Sequence, residues 1–233
     1  ERYRKHKMDT PFKEILSLDL YQLLKPCQSL FKLSKMKQPD LENFVGIHNR
    51  KYCDGGQCIR LYKTFMKKKD PEAANIVMGH NEEDLLGLGT IFSLLAYKKL
   101  YDGEYHPKQC VILEQELKIV IELSAAAPVN VSCGNSDFYL SVNGYEARML
   151  VHLKEGKLRQ YYRNYKDYEF IPGEDTAMPK SITRYMDKSL KIATTPQTCY
   201  TWFNCDEDFL NNEKKQMQYL THTLPFFLDN LNK

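Results

Sequence analysis

Leu117, Ile119, Ile121 and Leu123 alternate with Glu116, Lys118 and Glu122, a period of two that predicts a half-buried strand. Two further runs, Phe138 to Val142 and Tyr145 to Leu153, flank Asn143-Gly144, the pair that most strongly favours a two-residue hairpin turn. Glu155-Gly156 then predicts a turn into a third strand near Leu158 to Tyr168, which completes an antiparallel meander. Upstream the period is helical. Asp19 opens a turn or helix that reaches Leu24 and ends before Pro26. Leu41 to Val45 follows the start signal Pro39-Asp40, and a Gly55-Gly56 loop precedes a helix over about Gln57 to Lys68. Pro71 begins the longest periodic segment, which runs to about Tyr101. A last helical stretch, about Asp206 to Leu231, carries Leu210, Met217, Leu220 and Leu224 and is interrupted by Pro225.

Composition narrows the class without choosing a function. The 233 residues, 42% of them hydrophobic, suffice for one large domain or two small ones. No stretch approaches the roughly 18 unbroken apolar residues of a membrane helix, and residues 1–7 lead into no apolar signal region. A membrane protein, a disordered chain and a rod are therefore excluded as expectations. The net charge of +3 permits a nucleic-acid partner without requiring one. Seven cysteines, an odd number in a chain this long, point to a reducing cytoplasm. Neither Cys53 and Cys58 nor Cys199 and Cys205 meet a second pair at zinc-site spacing.

The long segment from Pro71 contains an anomaly. On a helical projection Val77, Leu88, Ile91 and Leu95 fall within about 80° of His80, and Asp84 falls about 40° away. His80 and Asp84 thus share the apolar face, one turn apart, while Glu82 and Glu83 point elsewhere; Gly87 on that face would admit a close neighbour. An ionised Asp there needs a partner. Two readings stay open: an ion pair with a nearby Lys or Arg, or a metal-bound carboxylate beside a His that deprotonates water.

The run His80-Asn81-Glu82-Glu83-Asp84-Leu85-Leu86-Gly87-Leu88 resembles the last catalytic motif of the DEDD 3′–5′ exonucleases, of ribonuclease H-like fold, and is nearest to their YprB-like branch. Leu18-Asp19-Leu20-Tyr21 with Lys25-Pro26, and Leu41 to Ile47 leading to Asp54-Gly55-Gly56-Gln57, are similar to that branch as well. So is Ser181 to Cys199, with Tyr185, Asp187, Lys188, Ala193 and Thr194. The resemblance implies an α/β first segment, residues 1–103, as the C-terminal part of a ribonuclease H-like domain. A mainly antiparallel β domain with a terminal helix, residues 104–233, follows it. It implies Mg²⁺ or Mn²⁺ on Asp84, His80 as base, and Asp19 in support, although a helix N-cap explains Asp19 equally well. Family members carry an Asp-x-Glu strand and a second Asp motif upstream of this segment. Here Asp40-Leu41-Glu42, Asp70-Pro71-Glu72 and Asp102-Gly103-Glu104 follow no apolar strand and read as helix starts or turns. The metal is accordingly not expected on this segment alone. Three residues separate His80 from Asp84, as in the tyrosine-type subgroup; the histidine-type commonly has four.

In the second half, Arg159 and Arg163 interleave with tyrosines, as cations and rings do on single-strand binding surfaces, although exposed strands also carry such residues. Lys180, Arg184 and Lys188 form a cationic stripe if their segment is helical. Gly-x-Ser-x-Gly, Walker, His-Glu-x-x-His and dinucleotide motifs are absent. The leading expectation is a metal-dependent exonuclease acting on single-stranded DNA or RNA. The alternatives are a non-catalytic nucleic-acid-binding or docking module, or a protein-interaction module using the sheet. An apolar face left bare on the His80 helix would be covered by a second copy or by the β domain.

Overall fold

A computed structural model describes residues 7, 15–48, 50–52 and 55–231. The described part of the first segment is helical. Asp19 caps α1 (Leu20–Leu24) by accepting from the Gln22 amide; a 3₁₀ turn at Lys25–Cys27 accommodates Pro26, and α2 (Gln28–Phe31) follows. Helix α3 is Gln38–Phe44 and α4 is Gly55–Lys68, so the two glycines expected in a loop form the first turn of α4. Asp70 caps α5 (Pro71–Ile91), with Pro71 in the first turn, where a missing N–H costs nothing.

The periodic segment from Pro71 is two helices rather than one. Thr90 Oγ1 donates to the Leu86 carbonyl and Ser93 Oγ to that of Thr90, and the chain tightens into a 3₁₀ turn at Phe92–Leu94 before α6 (Leu95–Asp102). Such hydroxyl bonds compete with the helix ladder and bend it. Gly103, at φ +87°, ends α6 in the left-handed conformation. No strand occurs among the described residues of 1–103, so the α/β expectation for that segment meets helices alone.

Strands β1 (Tyr105–Leu113), β2 (Glu116–Gly134) and β3 (Phe138–His152) form one antiparallel sheet in sequence order. The expected hairpin at Asn143-Gly144 is not there. Both flanking runs lie on β3 and pair with the long β2, with a register break around Ala127↔Gly144. Gly144 takes φ +54° at this bulge. Burial runs on Phe138, Leu140 and Val142 before it and on Ala147, Met149 and Val151 after it, so the bulge keeps one face toward the core. The β2–β3 turn falls instead near Asn135, whose side chain accepts from the Asp137 and Phe138 amides.

Glu155 and Gly156 make the expected turn, but β4 (Lys157–Tyr161) stops short of Tyr168 and pairs with the distant β8 (Tyr200–Asn204), which ends the meander. A third sheet joins β5 (Tyr168–Ile171) to β6 (Thr176–Pro179) and β7 (Ile192–Ala193). Helix α7 (Lys180–Thr183) is one turn long; Lys188 opens a separate 3₁₀ turn, so Lys180, Arg184 and Lys188 share no helical stripe. Helix α8 (Glu207–Leu210) precedes α9 (Glu213–Asp229), which continues through Pro225 because Leu224, Phe226, Phe227 and Leu228 are all buried.

One core crosses residue 103. Leu24, Leu30, Leu94 and Leu100 from the first segment pack with Ile119, Ile121, Leu140 and Phe227 from the second. Tyr97 joins the halves directly: its hydroxyl donates to the Val129 carbonyl and accepts from the Val129 amide. Burial pushes the Cys27, Cys110 and Cys133 thiols up to about 12, so these cysteines behave as small apolar groups.

Candidate functional site

Helices α3 and α5 bring together four polar side chains around Arg50. Glu42, on the inner face of α3, is 2% exposed. Arg50 grips it with a fork, Nε to Oε2 at 2.7 Å and Nη2 to Oε1 at 2.6 Å, and reaches Asp84 Oδ1 with Nη1 at 2.6 Å. Gln38 Nε2 bridges the helices, donating to Glu42 Oε1 at 2.9 Å and to the Asp84 carbonyl at 2.8 Å. Glu83 accepts from the backbone amides of Lys51 and Tyr52, which ties the Arg50 segment to α5. Burial alone would raise the Glu42 carboxyl; the hydrogen bonds from Arg50 and Gln38 outweigh it and hold the group below the usual carboxylate range.

Gly87 makes this approach possible. A Cβ there would lie 1.9 Å from Glu42 Oε1, so the close neighbour expected at Gly87 is a carboxylate from the facing helix. Gly79 is similarly covered by the Tyr52 ring.

His80 and Asp84 do meet, with Nε2 3.5 Å from Oδ2. The other ring nitrogen, Nδ1, is enclosed and has no hydrogen-bond partner. The face they share is lined differently from the helical projection. Ala73, Gly79, Gly87 and Ile91 are buried along α5, whereas Leu85, Leu86 and Leu88 are exposed. Residues exposed at the foot of the helix, Leu88 and Phe92, border an open groove of about 870 Å³ with Leu18 and Tyr21.

This donor set does not fit a divalent metal. Arg50 and Gln38 occupy both Glu42 oxygens and Arg50 occupies one of Asp84, which leaves Asp84 Oδ2 beside a guanidinium. Among the described residues no group of three or more His, Cys, Asp or Glu could hold an ion. What the arrangement does supply is an ionic cluster in which Arg50 neutralises two carboxylates and the Asp84 carboxylate lies 3.5 Å from the His80 imidazole. Glu42 and Arg50 were missed by the sequence reading. The sequence places Glu42 in a helix start, a role that Asp40 fills by accepting from the Lys37 amide.

The remaining candidates separate. Asp19 spends its carboxylate on the Gln22 amide. Arg163 pairs with Asp229 at 3.2 Å and donates to the Tyr101 hydroxyl at 2.6 Å, a bond between α6, α9 and the chain after β4. Lys180 donates to the Lys166 carbonyl at 2.6 Å, Arg184 lies over the Tyr185 ring and bonds its hydroxyl, and Lys188 is exposed. Arg159 lies apart from these, its guanidinium 4.7 Å from the Tyr200 ring centroid and 5.0 Å from that of Trp202.

Residues 1–96 match the RNase_H_2 family model of the RNase H superfamily, a span that contains Glu42, Arg50, His80 and Asp84. The match supports a ribonuclease H-like domain in the N-terminal region and, with it, a nuclease-like or nucleic-acid-related function. Superfamily members generally use divalent metals. No curated protein and no solved structure matches the chain. No helix among the described residues is long and apolar enough to cross a membrane.

Proposed function

We propose that the protein acts on nucleic acid as an exonuclease of the ribonuclease H-like kind, with single-stranded DNA or RNA as substrate and Asp84 and His80 at its reaction centre. The observation that carries this reading is the coincidence of the superfamily match with a His and an Asp that meet at 3.5 Å on one helix face. The 3′–5′ polarity and the dependence on Mg²⁺ or Mn²⁺ are what the likeness of residues 80–88 to the DEDD motif implies. Within this chain, Asp84 is the carboxylate beside the imidazole, and Arg50 sets the charge on its other oxygen.

Arg50 favours a second reading. A guanidinium seated on both carboxylates suits a domain that keeps its fold and binds nucleic acid, or docks a protein, without cleaving. The test is cleavage of end-labelled single-stranded DNA and RNA with Mg²⁺ or Mn²⁺. On the exonuclease reading Asp84→Asn abolishes cleavage and His80→Ala leaves activity reduced by roughly 10²- to 10⁴-fold, as for loss of a general base. An intact protein that cleaves with neither metal but binds single strands in a steeply salt-dependent way establishes the second reading.

A further inference from the structure

Strands β4 and β8 build a second polar site far along the chain from His80. Arg159 stands opposite Trp202 in their ladder, and beside them a pocket of about 200 Å³ opens, walled also by Lys154, Lys157, His152 and Asp137. Three permanent cations thus face one carboxylate. Arg159 is sandwiched against the rings of Tyr200 and Trp202, and the Lys154 Nζ lies 5.5 Å from the Trp202 centroid. Unlike Arg50 and Arg163, none of the three cations forms an ion pair among the described residues. The Arg159 Nε is buried and has no hydrogen-bond partner.

A buried donor without an acceptor costs about 1–3 kcal/mol, and ring stacking holds this guanidinium so that its N–H edge is preorganised. Arg forks match the oxygen pairs of phosphate, and lysines add charge without fixed geometry. The surplus positive charge suits a dianion better than the single charge of an internal phosphodiester. The volume of about 200 Å³ accommodates a phosphate group with room for the atoms it is attached to.

We propose that this pocket binds a phosphomonoester, and that its ligand is the terminal phosphate of a single nucleic-acid strand. The choice of a strand end over a free nucleotide rests on the proposed function; the phosphate chemistry rests on Arg159, Lys154 and Lys157.

Trp202 is the sole tryptophan of the chain and lines this pocket, so its fluorescence responds to binding there; the lysine variants below separate that response from one at the pocket of Asp206 and Lys215, which Trp202 also borders. The experiment titrates the whole protein, without added metal, with inorganic phosphate, thymidine monophosphate, thymidine, and a short oligothymidylate with and without a terminal phosphate. The proposal expects a saturable change with the phosphorylated oligonucleotide at a concentration about tenfold lower than with its hydroxyl-ended counterpart, and no change with thymidine. The exposed pair Lys154→Ala/Lys157→Ala should weaken that binding by about tenfold or more with an unchanged circular dichroism spectrum, and Arg159→Met should remove it. Asp84→Asn should leave it unaltered, which separates this site from failure of the nuclease reading. Equal binding of the two oligonucleotides, or insensitivity to the double lysine change, overturns the proposal. A response to thymidine monophosphate or inorganic phosphate with none to the phosphorylated oligonucleotide overturns the strand end as the ligand.

Discussion

Two arginines of this chain sit against carboxylates or rings in opposite states of completion. Arg50 uses Nε, Nη1 and Nη2 on two carboxylates, one of them on a nearly inaccessible side chain. Arg159 is held by the rings of Tyr200 and Trp202 and by a hydrogen bond with Tyr161, and keeps an unsatisfied Nε. The first cluster has its charges closed onto one another and works as structure until something displaces Arg50. The second carries three cations against the single carboxylate of Asp137, an excess of positive charge that suits an anion. The two clusters differ in how far each charge is neutralised: Arg50 meets two carboxylates by direct hydrogen bonds, whereas Arg159 forms no ion pair among the described residues.

The comparison breaks most easily at Arg50. Arg50→Ala leaves Glu42 ionised and buried, and should lower unfolding free energy by about 3–5 kcal/mol in denaturant titrations. A loss under 1 kcal/mol would mean that the cluster is as dispensable as a surface pair. Gly87→Ala drives a methyl into the same carboxylate and should cost about 1–3 kcal/mol, read as a lower melting temperature.

Acid sharpens the contrast. The Glu42 carboxyl is depressed in the fold, so its contribution is complete above the unfolded value near 4.3 and is lost as pH falls through the lower folded value. Stability measured between pH 6 and pH 3 should fall, and Glu42→Gln should flatten part of that fall; an unchanged slope would remove Glu42 from the account. Smallest of all, Lys154→Ala and Lys157→Ala should each change stability by no more than about 0.5 kcal/mol, since neither lysine has an ionic partner among the described residues. A larger loss would make the pocket's cations structural.

Legibility from sequence followed the range of the interaction. Helix starts at Asp19 and Asp70 were readable because a cap needs only its next few residues. The strand at Leu117–Leu123 was readable because its alternation is unbroken. Asn143-Gly144 was misread for a definable reason: a two-residue hairpin and a bulge both switch the buried positions from even to odd. Only the partner decides between them, and here β2 is long enough to pair with both halves of β3. His80 and Asp84 were visible as a polar pair on an apolar stripe, but their closure was not. Arg50 reaches Asp84 across 34 residues from outside any regular element, and nothing local marks it. Gly87 was the available clue, a glycine at helix spacing on the same face. Arg159 stands out in sequence for its tyrosine neighbours, yet the rings it packs on, Tyr200 and Trp202, come from a strand some forty residues on.

The seam at residue 103 has a further consequence. Leu24, Leu30 and Leu94 are shielded by a sheet that begins after the family match has ended, and Ile91, at the foot of the His80 helix, belongs to the same core. The melting of either half is therefore coupled to that of the other, and the chain should unfold in a single cooperative transition rather than two. By the same coupling, a fragment cut at residue 96 would hold every atom of the Arg50 cluster and still lack the scaffold that keeps α3 and α5 in register, so excision along the boundary of sequence similarity should produce an aggregating peptide instead of a smaller folded domain.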